Sequence, residues 1–244
     1  MSRFLLTALL TFSISAFAQD HNEYLRAVDS PDRPAADLER DASRHPLEIL
    51  AFSELVPGQI IIELGAGGGY TTELTARVVG SEGHVYAHVL RPGRVKGNRL
   101  PNVTALRQHK LFELPNVLVE SGLKAGGADR VLAFFTVHDM YLNENIDLQR
   151  LYRDLLKMLK PGGLFIVLDN SARVGSGLDD TPKYHRIDET FVMTEIVKAG
   201  FEFIDHTDLL RNPDDNRENR WNAPDNNFER GFQDRFALKF RKPR

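Results

Sequence analysis

The sequence predicts a doubly wound α/β domain built on a seven-stranded, mostly parallel sheet with a C-terminal antiparallel strand pair. Three observations predict it. Short apolar, β-branched runs alternate with segments of helical periodicity from Gln59 onward, the pattern of buried parallel strands joined by helices. A glycine-rich turn, Gly65-Ala66-Gly67-Gly68-Gly69, lies between the first such strand and the first such helix. The last two strands, Phe201 to Asp205 and Phe236 to Phe240, carry no helical signal between them, which predicts that they pair antiparallel.

The elements follow in order. Asp37 to Leu55 reads as helix, with Leu47, Leu50, Ala51 and Leu55 at helical spacing and Pro46 marking a break or a second start. Pro57-Gly58 is a turn, and Gln59 to Leu64 a buried strand. Tyr70 to Val79 is a helix with Glu73 in its first turn, where a carboxylate suits the dipole, and Gly80 stops it. His84 to Leu90 and Val103 to Arg107 are the second and third strands; between them Arg91, Arg94, Lys96 and Arg99 form a basic loop. Arg130 to Val137 is the fourth strand. An amphipathic helix from Leu148 to Leu159 ends at Lys160-Pro161-Gly162-Gly163, and Leu164 to Leu168 is the fifth strand. Asp188 to Ala199 is a helix, Asp188 at its N-cap and Gly200 closing it. The connector from Arg211 to Asp234 is long and rich in Asn, Asp and Arg, the kind of loop that is functional or disordered.

Three segments divide the 244 residues. Met1-Ser2-Arg3, the apolar run Phe4 to Ala18 and the closing Ala16-Phe17-Ala18 follow the order of a secretory signal peptide. Residues 1–18 are thus expected to be removed after Ala18, leaving a periplasmic or secreted chain with no membrane attachment. Residues 19–36 are polar and expected to be flexible. Residues 37–244 form the folded domain. A formal net charge of −3 argues against a nucleic-acid partner, because phosphate-backbone binding needs a positive excess. The absence of cysteine excludes disulfides, cysteine zinc sites, iron–sulfur clusters and a cysteine nucleophile.

The glycine turn is the most informative stretch. Glycines at a strand-to-helix turn let backbone approach a ligand, and the helix behind offers free N–H groups. The dinucleotide pattern fails because its third glycine falls on Tyr70, and the P-loop fails because no Gly-Lys pair exists. Glu63-x-Gly65-x-Gly67-x-Gly69 fits instead. It resembles the first motif of class I S-adenosylmethionine-dependent methyltransferases. Leu155-Leu156-Lys157-Met158-Leu159-Lys160-Pro161-Gly162-Gly163 resembles that superfamily's entry to strand five, and the terminal pair resembles strands six and seven. The match covers about Asp41 to Lys242. More narrowly, Arg44-His45-Pro46-Leu47-Glu48, Gly67 to Tyr70, His138-Asp139-Met140-Tyr141, His185 to Asp188 and Leu210 to Pro213 resemble a group of exported methyltransferases.

The resemblance implies S-adenosylmethionine as cofactor and a small-molecule acceptor. It implies that Glu63, Gly65, Ala66, Gly67, Gly69 and Tyr70 hold the cofactor, with His88, Gln108 and Thr136 at the ends of strands two, three and four. Strand two lacks the acid that usually receives the ribose hydroxyls; His88 stands roughly there. His138, Asp139, Tyr141, His185 and Arg186 are the candidate catalytic and acceptor-binding residues. His138 is a base suited to neutral pH. Asp139 either assists it or caps a helix, and Tyr141 either stacks on the acceptor or covers the core. His185 and Arg186 would meet an anionic acceptor. No metal is expected: His84 and His88 share a strand face but lack a third ligand. The alternative is a non-catalytic exported ligand-binding protein of the same fold.

Overall fold

A computed structural model of the chain describes residues 21–89, 100–107, 113–219 and 232–244. The expected leader, residues 1–18, the basic loop and Gln108 lie outside these residues. Seven strands form one sheet in the order β3-β2-β1-β4-β5-β7-β6. They are β1 (Ile60–Leu64), β2 (His84–Val89), β3 (Val103–Arg107), β4 (Ala128–Phe134), β5 (Leu159–Asn170), β6 (Glu202–Thr207) and β7 (Arg235–Arg241). The first five pair in parallel. β7 runs antiparallel between β5 and β6, as the missing helical signal before it predicted.

Alternating side chains send the strands into two cores. On one face Ile62, Leu64, Val131, Phe165 and Phe240 pack with α5 (Leu114–Glu120), α7 (Leu148–Met158) and α9 (Glu189–Lys198). On the other, Ile61, Val85, Leu132 and Ile166 pack with α4 (Tyr70–Val79) and the N-terminal helices. The order in which successive strands are added reverses between β1 and β4. That switch point is where doubly wound sheets hold ligands, outside the carboxyl ends of their strands.

The N-terminal segment differs from expectation. Residues 21–28 are helical (α1), and Tyr24, Ala27 and Val28 belong to the second core. The Tyr24 hydroxyl donates to the Leu55 carbonyl at 2.8 Å. The buried Arg33 guanidinium forks onto Asp41 through two 2.7 Å bonds and caps the Val28 carbonyl. A few anchors spaced along a polar stretch suffice to order it, and composition averages conceal them. The expected helix from Asp37 to Leu55 is two, α2 (Ala35–Arg44) and α3 (Pro46–Phe52). The break falls at His45, left-handed at φ 48°, because the proline ring disfavours the α conformation before it.

Two strand boundaries also move. β4 ends at Phe134, three residues short of expectation. Phe135 turns to φ 56°, and Val137–Tyr141 form the short helix α6. β5 begins at Leu159, directly after α7: Leu159 pairs with Ala128, the Lys160-Pro161-Gly162-Gly163 stretch bulges out of the β4 ladder, and pairing resumes at Leu164 with Arg130. Asp188 caps α9 as expected, accepting from the Thr190 N–H at 2.9 Å.

Candidate active site

The glycine turn closes around two backbone hydrogen bonds. The Ala66 N–H donates to the His88 carbonyl at 2.8 Å, tying the end of β2 to the turn, and the Gly69 N–H donates to the Ala66 carbonyl at 2.9 Å. Gly65, Gly67 and Gly69 all have positive φ, a conformation that L side chains rarely adopt. Gly65 is further constrained: a Cβ there would fall 2.6 Å from Thr136 Cβ and closer still to Thr136 Oγ1. At Gly68 the space where a Cβ would stand is open. The switch point therefore has the Gly65 backbone packed against the Thr136 side chain, with an open cradle beside it at the start of α4.

Glu63 is buried on β1 and accepts the Thr72 hydroxyl at 2.6 Å. Burial pushes its carboxyl up to about 7, against the pull of the Thr72 hydrogen bond. The sign of the consequence is fixed. The unfolded chain loses this proton near the ordinary value of 4.5, so stability falls as pH rises from there through about 7. The full loss is roughly 3 kcal/mol at 1.4 kcal/mol per unit. A Glu63→Gln protein should gain on the parent in urea midpoint between pH 5 and pH 8. Parallel midpoints across that range would show that the Glu63 side chain ionises in the fold at no cost.

Tyr70 serves the cover of the turn. Its hydroxyl donates to Asp41 at 2.7 Å. Arg40 and Arg44 of α2 stand 5.1 and 4.7 Å from its ring centroid. Contrary to expectation, the ring thus docks α2 over the start of α4, with its hydroxyl already committed. His88 is fully buried within β2, opposite Leu106 of β3.

The second part of the site stands at the carboxyl ends of β4 and β5. The buried Asp169, next to last in β5, accepts His138 Nδ1–H at 2.7 Å through Oδ1, the His138 backbone N–H at 3.0 Å through Oδ2, and the Asn170 N–H at 2.8 Å. Burial lowers the affinity of His138 for a proton, but Asp169 and Asp139 outweigh it and hold the imidazole above its ordinary range. Its Nε2 lies 3.5 Å from Asp139 Oδ1. His185 arrives from the loop after β5, which is tied to that strand where the Ala172 N–H donates to the Ile187 carbonyl and the Ile187 N–H to the Asn170 carbonyl. Its Nδ1 stands 3.6 Å from the same Asp139 oxygen, and the two imidazoles meet edge to face at 5.7 Å.

The fold therefore brings His138, Asp139 and His185 together. Two of the expected residues do not join them. Arg186 is wholly buried, forked onto Asp215 at 2.7 and 3.2 Å and bonded to the Asn219 and Ser171 carbonyls. It anchors the start of the β6–β7 connector and cannot meet an acceptor. Tyr141 packs edge to face on Phe191 at 5.2 Å and takes the Tyr152 hydroxyl at 3.4 Å, so it covers the core. The His84 Nε2 is hydrogen-bonded to the Thr104 hydroxyl at 2.8 Å. The sequence reading missed Asp169. Its signal was an acid at the end of an apolar strand, Phe165 to Leu168, where burial demands a partner. A separate cavity of about 440 Å³ lies between α2 and the β6–β7 connector, lined by Ser43, His45, Arg211 and Arg235 among others. It contains none of the residues expected from the sequence.

No protein-family model matches the chain. It is similar to a SAM-dependent methyltransferase from Aquifex aeolicus, at 19% identity and a TM-score of 0.57, over 88% of this chain and 96% of that one. The chain complexed with the Trm112 methyltransferase activator of Haloferax volcanii gives 17% identity and a TM-score of 0.60, over 86% and 94%. These likenesses define the fold as that of the class I S-adenosylmethionine-dependent methyltransferases. In sequence, the chain is 26% identical over 122 residues to an arsenite methyltransferase of Halobacterium salinarum. That match spans 49% of this chain and 29% of the relative's length.

Proposed function

We propose that the protein is an S-adenosylmethionine-dependent methyltransferase acting on a small-molecule acceptor. The observation that carries this is the pairing of two features at one switch point: the open glycine cradle after β1, and the Asp169–His138 dyad after β4 and β5. The cradle fits the cofactor. Gly68 presents backbone to open space, and Thr136 Oγ1 is buried beside Gly65 without a hydrogen-bond partner among the described residues. The N-terminal N–H groups of α4 face the same turn, with Gly69 at the cap.

S-adenosylmethionine held by the glycine turn would supply an electrophilic methyl group on a positively charged sulfur, for transfer to the acceptor. The chain's part is alignment and the acceptor's proton. Alignment comes from two rigid strand ends on either side of the Gly65–Thr136 contact. Proton uptake falls to His138. Its Nδ1 is paired with Asp169, which leaves Nε2 as the ring nitrogen to take up the acceptor's proton.

Arsenite is not the acceptor we propose. Soft metal-like centres are held by soft thiolate ligands, and this chain has no cysteine. The nitrogen and oxygen groups at the site suit an acceptor with an oxygen or nitrogen nucleophile.

Calorimetry tests the reading. S-adenosylmethionine and its demethylated product should each bind once per chain, and Gly68→Ala should weaken both. No heat from either at millimolar concentration would overturn it.

A further inference from the structure

We propose that His138 Nε2, Asp139 Oδ1 and His185 Nδ1 form a divalent-cation site, a set of two imidazoles and one carboxylate braced by Asp169. Among the described residues these three ligand atoms lie within 4.8 Å of one another. A cation bonded to nitrogen and oxygen at about 2.1 Å sets tetrahedral ligand atoms roughly 3.4 Å apart. The Asp139 oxygen stands 3.5 Å from one imidazole nitrogen and 3.6 Å from the other. Both gaps are too long for a hydrogen bond and match ligands around a common ion.

The bonding around the cluster argues the same way. With Nδ1 paired to Asp169, His138 presents Nε2 to the Asp139 oxygen, and a bound cation would take the place of any proton on that nitrogen. Asp169 is also the outer partner that metal-bound histidines use, a carboxylate on the second ring nitrogen that fixes tautomer and orientation. Its second oxygen holds the His138 backbone N–H, so ring and main chain are pinned by one side chain. Asp139 and His185 are partly exposed, which gives an ion its route in. Three protein ligands leave a coordination position for an acceptor oxygen. Nitrogen-containing ligands favour zinc, cobalt or manganese over magnesium.

The cation site stands on its own geometry; only the use of its open position rests on the methyl-transfer reading. With the cation bound, His138 is a ligand, and its role as base belongs to the cation-free protein.

The test is titration of the chelator-treated protein with cobalt(II), followed by visible absorption, with zinc as competitor. One cobalt should bind per chain with the absorption of a low-coordinate, nitrogen-ligated ion, and zinc should displace it. His185→Ala and Asp139→Ala, both at partly exposed positions, should weaken uptake at least tenfold, and Asp169→Asn about 10–100-fold. Cobalt and zinc uptake unchanged in both alanine variants, or no uptake by the parent at millimolar metal, would overturn the site. Calorimetry with S-adenosylmethionine on the same samples separates the two readings. Cobalt binding without cofactor binding would remove the methyltransferase and leave the cation site, and the reverse would remove only the cation.

Discussion

Replacing Asp169 by Asn is expected to lower methyl transfer by about 10²–10⁴-fold, the range for losing a positioned base, while leaving cofactor binding close to that of the parent. The reason is donor arithmetic in a closed space. Asp169 receives three donors, two of them backbone N–H groups that cannot be removed. An amide has one acceptor oxygen and one NH2. If the oxygen takes the place of Oδ1, the NH2 meets the His138 N–H. If it takes the place of Oδ2, the NH2 meets the Asn170 N–H, and His138 must turn Nδ1 into an acceptor and carry its proton on Nε2. In either orientation one buried donor is orphaned, at about 1–3 kcal/mol, and in the second the base is lost outright. For a chain of this size that cost lowers the melting temperature by roughly 2–4 °C per kcal/mol. Nitrogen-detected histidine spectra should show the change of tautomer directly. An unaltered His138 tautomer with full transfer activity would show that Asp169 is only a strand-end anchor.

Asp169 also shows where sequence reading stopped. The alternation of strands and helices was legible because the central strands β4 and β5 are buried on both faces, so their middle residues are apolar, as in Val131 to Ala133 and Phe165 to Leu168. The glycine turn was legible because positive φ restricts the residue type at Gly65, Gly67 and Gly69. His138, Asp139 and His185 were legible as residue types, but not as a cluster. Their meeting depends on α6 and on the backbone bonds that tie Ile187 to Ala172 and Asn170, and neither has a periodic signature. α6 spans only five residues, the first of which, Val137, was read as the end of a strand. Arg186 was misassigned for the same reason: a charged residue beside a histidine looks available, and only Asp215, 29 positions on, shows that it is neutralised within the fold. Tyr70 was assigned to the cofactor from its place in the motif, whereas its partner Asp41 belongs to a helix that composition alone made unremarkable. Local chemistry was thus readable wherever backbone geometry or burial limits the residue type. It was unreadable wherever a partner distant in sequence decides the role.

Gly65→Ala is expected to be among the most damaging single methyl additions in the chain, and Gly68→Ala, three positions on in the same motif, among the mildest for the fold. At Gly65 two penalties coincide. The residue holds φ 66°, which costs a non-glycine residue of order 1–3 kcal/mol. The added Cβ would also stand 2.6 Å from Thr136 Cβ. Thr136 cannot retreat, because it is buried between the end of β4 and the first turn of α6, and overpacking of this kind costs a further 1–3 kcal/mol or so. Together these lower the melting temperature by roughly 8–16 °C. The steric part belongs to a pair, so a cycle with Thr136→Gly should show Gly65→Ala costing less in that background. The conformational part should persist. At Gly68 φ is not positive and the added methyl enters open space, so stability should stay within about 0.5 kcal/mol of the parent. That open space is the proposed cradle, so the same methyl should weaken S-adenosylmethionine binding at least tenfold. The two alanines therefore separate what a glycine motif does for the fold from what it does for a ligand. Strictly additive costs for Gly65 and Thr136 would refute their close contact. Undiminished cofactor binding in Gly68→Ala would move the cofactor away from this turn.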